Sequence, residues 1–92
     1  APQSAAVNAT LGWLLVEEGA PAEGLTYLRK AIAGRDVDPD IRYHHAVALA
    51  RTGAAADARR NLEELLRTPD FASRGEAEKL LRELTAQAEN GI

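Results

Sequence analysis

The sequence predicts an all-α fold, a short stack of helical hairpins of the α-solenoid kind, and three observations carry that reading. A 34-residue internal repeat is present, apolar residues recur at helical spacing, and glycine and proline punctuate the intervals between the stripes. The offset appears when the segment from Ala5 is set above the segment from Pro39. Gly12 then falls on Ala46, Leu15 on Leu49, Gly19 on Gly53, Glu23 on Asp57, Gly24 on Ala58 and Leu28 on Leu62. Small residues match small ones and apolar residues match apolar ones, which is the signature of one supersecondary unit used twice.

Each copy reads as two helices. The first helix begins near Ser4, a residue whose side chain suits an N-cap, and carries Val7, Leu11, Leu14 and Leu15 on one stripe. Gly19 ends it, because glycine adopts positive φ without a Cβ penalty. Pro21 opens the second helix, in the first turn where its missing N–H costs nothing. Leu25, Leu28, Ala31 and Ile32 form its stripe, and Gly34 is expected to stop it. Asp38-Pro39 repeats this start for the third helix, which runs through Tyr43, Ala46, Leu49 and Ala50 to Gly53. The fourth carries Ala58, Leu62, Leu65 and Leu66 and ends before Thr68-Pro69. Ser73 with Glu76 three residues on has the form of a capping box for a fifth helix, carrying Ala77, Leu80, Leu81 and Leu84 and closed by Asn90-Gly91.

Composition bounds the function. Ninety-two residues make one domain, 46% apolar but only 4% aromatic, so the core is modest and alanine-rich. A chain of this size buries roughly 60–65% of its unfolded surface. Fourteen acidic against 11 basic residues leave a net charge of −3, and the basic residues are scattered, with Arg59-Arg60 the nearest thing to a cluster. Nucleic-acid binding is therefore not expected. Cysteine is absent, which removes disulfides and thiolate zinc sites. No apolar run approaches the ~20 residues of a membrane span, so direct membrane insertion is not expected either. The missing initial methionine suggests a piece of a longer protein.

The slot pattern resembles the tetratricopeptide repeat family. Its slots hold Asn8, Leu11, Gly12, Leu15, Gly24, Leu28 and Ala31 in the first copy, and Arg42, His45, Ala46, Leu49, Ala58, Leu62 and Leu65 in the second. The large first slot is polar in both copies, His45 stands in the Leu slot, Leu65 fills a small slot, and the usual proline arrives late, at Pro39. The likeness implies a single domain over residues 1–92, divided into repeats at 5–38 and 39–72 and a capping helix at 73–90. Counted on at 34 residues, Leu80 and Gln87 fall where a small residue and a glycine belong, so the fifth helix reads as a polar-faced C-terminal cap. The stretches LGWLLVEEG, DPDIRYHHAVALARTG and ARRNLEELL also look like the C-terminal repeats of bacterial exosortase-associated (PEP-CTERM) lipoproteins. That narrower likeness implies a periplasmic or envelope setting; without it the default is the cytoplasm.

By the resemblance, first helices line a concave groove that holds a peptide or protein segment. Its expected lining is Ala9, Trp13, Val16 and Glu17 from the first copy, and Asp40, Tyr43, Val47, Ala50 and Arg51 from the second. Trp13 is the only tryptophan; it either floors the groove, approaching Tyr43, or packs the joint between hairpins. These slots lack the Lys and Asn of clamps that hold chaperone tails. His44 and His45 point about 100° apart on a helix and are not expected to chelate one metal ion. The acidic pairs Glu17-Glu18 and Glu63-Glu64 have no positioned partner, and neither a nucleophile motif nor a phosphate loop is present, so no catalytic role and no cofactor are expected. The second reading is self-association: the outer face of the first helix, around Ala6, Val7, Leu11 and Leu14, has no hairpin before it and favours a homodimer.

Overall fold

The computed structural model describes residues 4–90. Five helices follow one another with short connections: α1 (Ala5–Glu17), α2 (Pro21–Ala31), α3 (Pro39–Arg51), α4 (Ala55–Leu65) and α5 (Arg74–Asn90). No strand occurs among the described residues, and the chain forms an elongated stack of 46 × 29 × 18 Å. The fold is the all-α, tetratricopeptide-like series of hairpins that the repeat predicts, α1 against α2 and α3 against α4, with α5 laid on the end. Among the described residues no helix is long and apolar enough to cross a membrane.

Local chemistry places the helix ends. The Ser4 hydroxyl accepts the Val7 N–H at 3.2 Å, and the Asp38 carboxylate accepts the Asp40 N–H at 2.8 Å. Gly19 and Gly53 stand at φ +91° and +86° just past α1 and α3, and a Cβ would meet no atom at either. Backbone conformation, not space, therefore asks for glycine there. Gly34 does not play that role after α2. The helix already ends at Ala31, and Asp36, at φ 53°, is the residue that turns the loop toward Asp38.

The two hairpins close differently. Where α1 crosses α2, a Cβ on Gly24 would lie 2.5 Å from the Gly12 carbonyl oxygen, and one on Gly12 would lie 2.7 Å from the Leu28 side chain. Backbone touches backbone at that crossing. The matching slots of the second hairpin hold Ala46 and Ala58, both fully buried, so methyl groups separate α3 from α4. Leu28 and Leu62, one repeat apart, are both fully buried in a core that also contains Val16, Leu25, Leu49, Ala77 and Leu84.

The fifth helix keeps the repeat, with one extra residue. First helices start at 5, 39 and 74, steps of 34 and then 35. The longer step sets Leu84 on Leu49 and Leu81 on Ala46. Helix α5 packs on α4 and α3 as α3 packs on α2 and α1, so the cap has the position of a third first helix. A small residue is needed at the Ala46 slot because α4 crosses there. No helix crosses α5 among the described residues, and Leu81 is tolerated half-buried.

The capping box expected at Ser73-Glu76 is replaced by a long-range one. Ser73 donates its N–H to Asp40 Oδ1 at 2.8 Å, and its hydroxyl donates to the same oxygen. Asp40 thus does from α3 what the Glu76 side chain was expected to do locally. Arg74 strengthens the corner by donating to the carbonyls of Leu66 and Thr68 after α4. Replacing Asp40 with alanine is expected to cost about 1–2 kcal/mol, since two donors lose a charged acceptor, and Asp40→Asn less. Chemical denaturation gives the energy, and amide exchange in the first turn of α5 locates it.

Candidate protein-binding groove

Helices α1, α3 and α5 present one shared face with two hollows. The first, about 430 Å³, lies between α1 and α3 and is walled by Ala6, Ala9, Leu14 and Ile41, with Trp13, His44 and Glu17. The second, about 360 Å³, lies between α3 and α5, where Tyr43, Val47, Ala50 and Arg51 face Glu76, Lys79, Leu80 and Glu83. Hydrophobic side chains make most of the first lining, whereas the second mixes apolar residues with two charges of each sign.

Most of the residues expected from the repeat reach these hollows. Ala9, Trp13 and Glu17 line the first; Tyr43, Val47, Ala50 and Arg51 line the second. Val16 does not: it is 1% exposed, turned into the core against α2, and offers nothing to a partner. Asp40 borders neither hollow, because its carboxylate is engaged by Ser73. Sequence reasoning missed Thr10 from α1, together with Ala6 and Leu14, which it gave to the outer face of that helix, Ile41 and His44 from α3, and Glu76, Lys79, Leu80 and Glu83 from α5. The 35-residue step finds two of the α5 positions, since it carries Ile41 to Glu76 and His44 to Lys79.

Trp13 and Tyr43 do not form a floor by themselves. His44 lies between them, stacked on Trp13 with ring centroids 3.9 Å apart and planes 10° from parallel, and 5.7 Å from Tyr43 at a tilt of 53°. Trp13 packs on the core at the joint of the hairpins and also borders the first hollow. Such a stack adds about 0.5–1.5 kcal/mol beyond the buried area. Arg51 fastens the same joint through a long 3.5 Å hydrogen bond from its guanidinium to the Val16 carbonyl.

Burial governs the titrating groups. Desolvation holds His44 below the usual imidazole value, against the opposing pull of Asp40, Glu17 and Asp38. His45, buried on the other side of α3, is lowered by desolvation and then by Arg29 and Arg42. Tyr43 is raised by burial and by Glu76 and Glu83, with Arg51 opposing. Asp40 is lowered, first by the Ser73 hydroxyl and then by the Ser73 N–H. For the histidines the folded value lies below 6.5, the value expected on unfolding, so the unfolded chain binds more protons there. Stability is complete above pH 6.5 and falls as the pH drops through the window just beneath it. Thermal melts should show a lower Tm at pH 5.5 than at pH 7.5, and His45→Gln should flatten part of that slope. Asp40 acts in a separate window: its contribution is present above pH 3.8 and lost below it.

Among the described residues no group of three His, Cys, Asp or Glu side chains is placed to hold a metal ion. No family model, curated protein or solved structure matches the chain.

Proposed function

We propose that the chain is a protein-interaction module of the tetratricopeptide type that holds a peptide or protein segment across α1, α3 and α5. The observation that carries this reading is the apolar hollow of about 430 Å³ beside the Trp13–His44 stack, open on the face shared by the first helices. A concave, mostly apolar recess with a few polar groups at its edge is the usual form of a recognition site, and a partly exposed tryptophan is the residue type most often found at interface hot spots. The groove spans only three helices, so an isolated peptide is expected to bind with a Kd of roughly micromolar or weaker. Titration of a positional peptide library, followed by Trp13 emission, tests the reading. Binders should be lost in Ala6→Phe, which fills the first hollow from an exposed position without touching the core and leaves Trp13 the only tryptophan. A library that never moves Trp13 emission, or binders indifferent to Ala6→Phe, would rule the groove out.

A second reading, self-association, is supported by the outer face of α1. Val7 is 45% exposed and Leu14, which also walls the first hollow, 49%, with Leu11 half-buried between them, an uncovered apolar row at helical spacing that borders the groove. Self-association through this row predicts a mass that rises with concentration in light scattering and a return to monomer in Val7→Glu.

A further inference from the structure

Accepting the groove as the binding face, we infer that its first hollow takes a long basic side chain, an arginine of the bound segment, with the aliphatic stem in the hollow and the guanidinium at Glu17. The walls are apolar, and Glu17 is the one carboxylate that lines them. Glu17 is exposed and forms no ion pair among the described residues, where the single salt bridge joins Arg60 to Asp57. Arg51, a cation of the second hollow, directs its guanidinium to the Val16 carbonyl instead.

The surroundings reinforce the sign of the charge. Glu17 is the last residue of α1 and Glu18 follows as its C-cap, with no basic residue in the final turn. Helix C-termini carry partial negative charge and favour cations, so two acids there raise the helix's own energy. An incoming cation relieves that. Asp40, Glu17 and Asp38 each favour a charged His44 ring, which lines the hollow, although burial outweighs them. Arginine suits the remaining features better than lysine, because its planar group pairs with carboxylate and lies flat on aromatic rings. The second hollow, with Glu76 and Glu83 balanced by Arg51 and Lys79, has no net preference and leaves the discrimination to the first.

The test uses three matched twelve-residue Gly/Ser peptides whose central residue is arginine, norleucine or glutamate, followed by the NMR shift of the Trp13 indole N–H. The arginine peptide should bind roughly three- to ten-fold more tightly than the norleucine peptide. That margin should vanish in Glu17→Gln, an exposed substitution that leaves the fold intact, and shrink in high salt. Equal or tighter binding of norleucine, or a margin that survives Glu17→Gln, overturns the basic-side-chain assignment while leaving the groove standing. If no peptide shifts the Trp13 signal, both the assignment and the groove fail.

Discussion

Gly24→Ala is expected to destabilise the protein by about 2–3 kcal/mol, although alanine is the better helix former. At an exposed helix position the same change would gain about 0.5–1 kcal/mol from reduced backbone entropy. Here the new methyl would lie 2.5 Å from the Gly12 carbonyl oxygen and 2.7 Å from the Val16 side chain. The first obstacle is backbone on the facing helix, so no rotamer change relieves it and α1 must move away from α2. That movement loosens Leu28, which rests over Gly12, and disturbs the ridge carrying Trp13 into the groove. For a domain of this size the loss corresponds to a fall in Tm of roughly 10–20 °C. The second hairpin supplies the control. Ala58→Gly removes a buried methyl where the helices are already spaced for it, and should cost only about 1–2 kcal/mol from helix propensity and a small void. The double variant Gly12→Ala/Gly24→Ala should cost less than the sum of the two singles, because one separation of the helices accommodates both methyls and reproduces the Ala46/Ala58 spacing. Additive losses, or a neutral Gly24→Ala, would show that the close crossing is not what holds the first hairpin.

This crossing also marks how far residue patterns alone reach. The pairings Gly12 with Ala46 and Gly24 with Ala58 are visible at a 34-residue offset, and so are the helix starts at Ser4 and Asp38, because caps and close crossings depend on residue type at fixed spacing. What escapes is anything decided by contact across the chain. Ser73-Glu76 satisfies the local capping pattern, yet Asp40, 33 residues earlier, provides the acceptor. Val16 sits one helical turn from Trp13, but the crossing by α2 turns it inward to 1% exposure. His44 reads as a flank residue until the stagger of α1 and α3 slides its ring over Trp13. The α5 wall of the second hollow escapes as well, hidden by the one-residue lengthening that sends the 34-residue count out of phase. Local periodicity was enough for the elements; the site depends on how neighbouring helices are staggered.

Leu62→Ala is expected to cost about 3 kcal/mol or more, and its counterpart Leu28→Ala a similar amount, yet the two variants should unfold differently. Both side chains are fully buried, so each truncation loses the transfer energy of the leucine and leaves a cavity. Against a total stability of roughly 5–14 kcal/mol for a domain of this length, either loss is large. In a linear stack, stability is the sum of each hairpin's own energy and the interfaces to its neighbours. The α3–α4 hairpin that holds Leu62 has interfaces on both sides, to α2 and to α5, whereas the α1–α2 hairpin that holds Leu28 has one, to α3. Weakening the central hairpin should therefore bring down the whole domain in a single transition at lower temperature. Weakening the terminal hairpin should let α1 and α2 open first, while α3 to α5 persist. Trp13 lies on α1 against His44 of α3 and reports the first hairpin and its joint with the second, while far-ultraviolet circular dichroism reports all five helices. The two signals should coincide for Leu62→Ala, whereas for Leu28→Ala the Trp13 transition should precede the loss of helicity. Coincident transitions in both variants would mean that the hairpins are coupled too tightly to open one at a time, and that Trp13 and His44 are held together by the fold as a whole instead of by the joint they form.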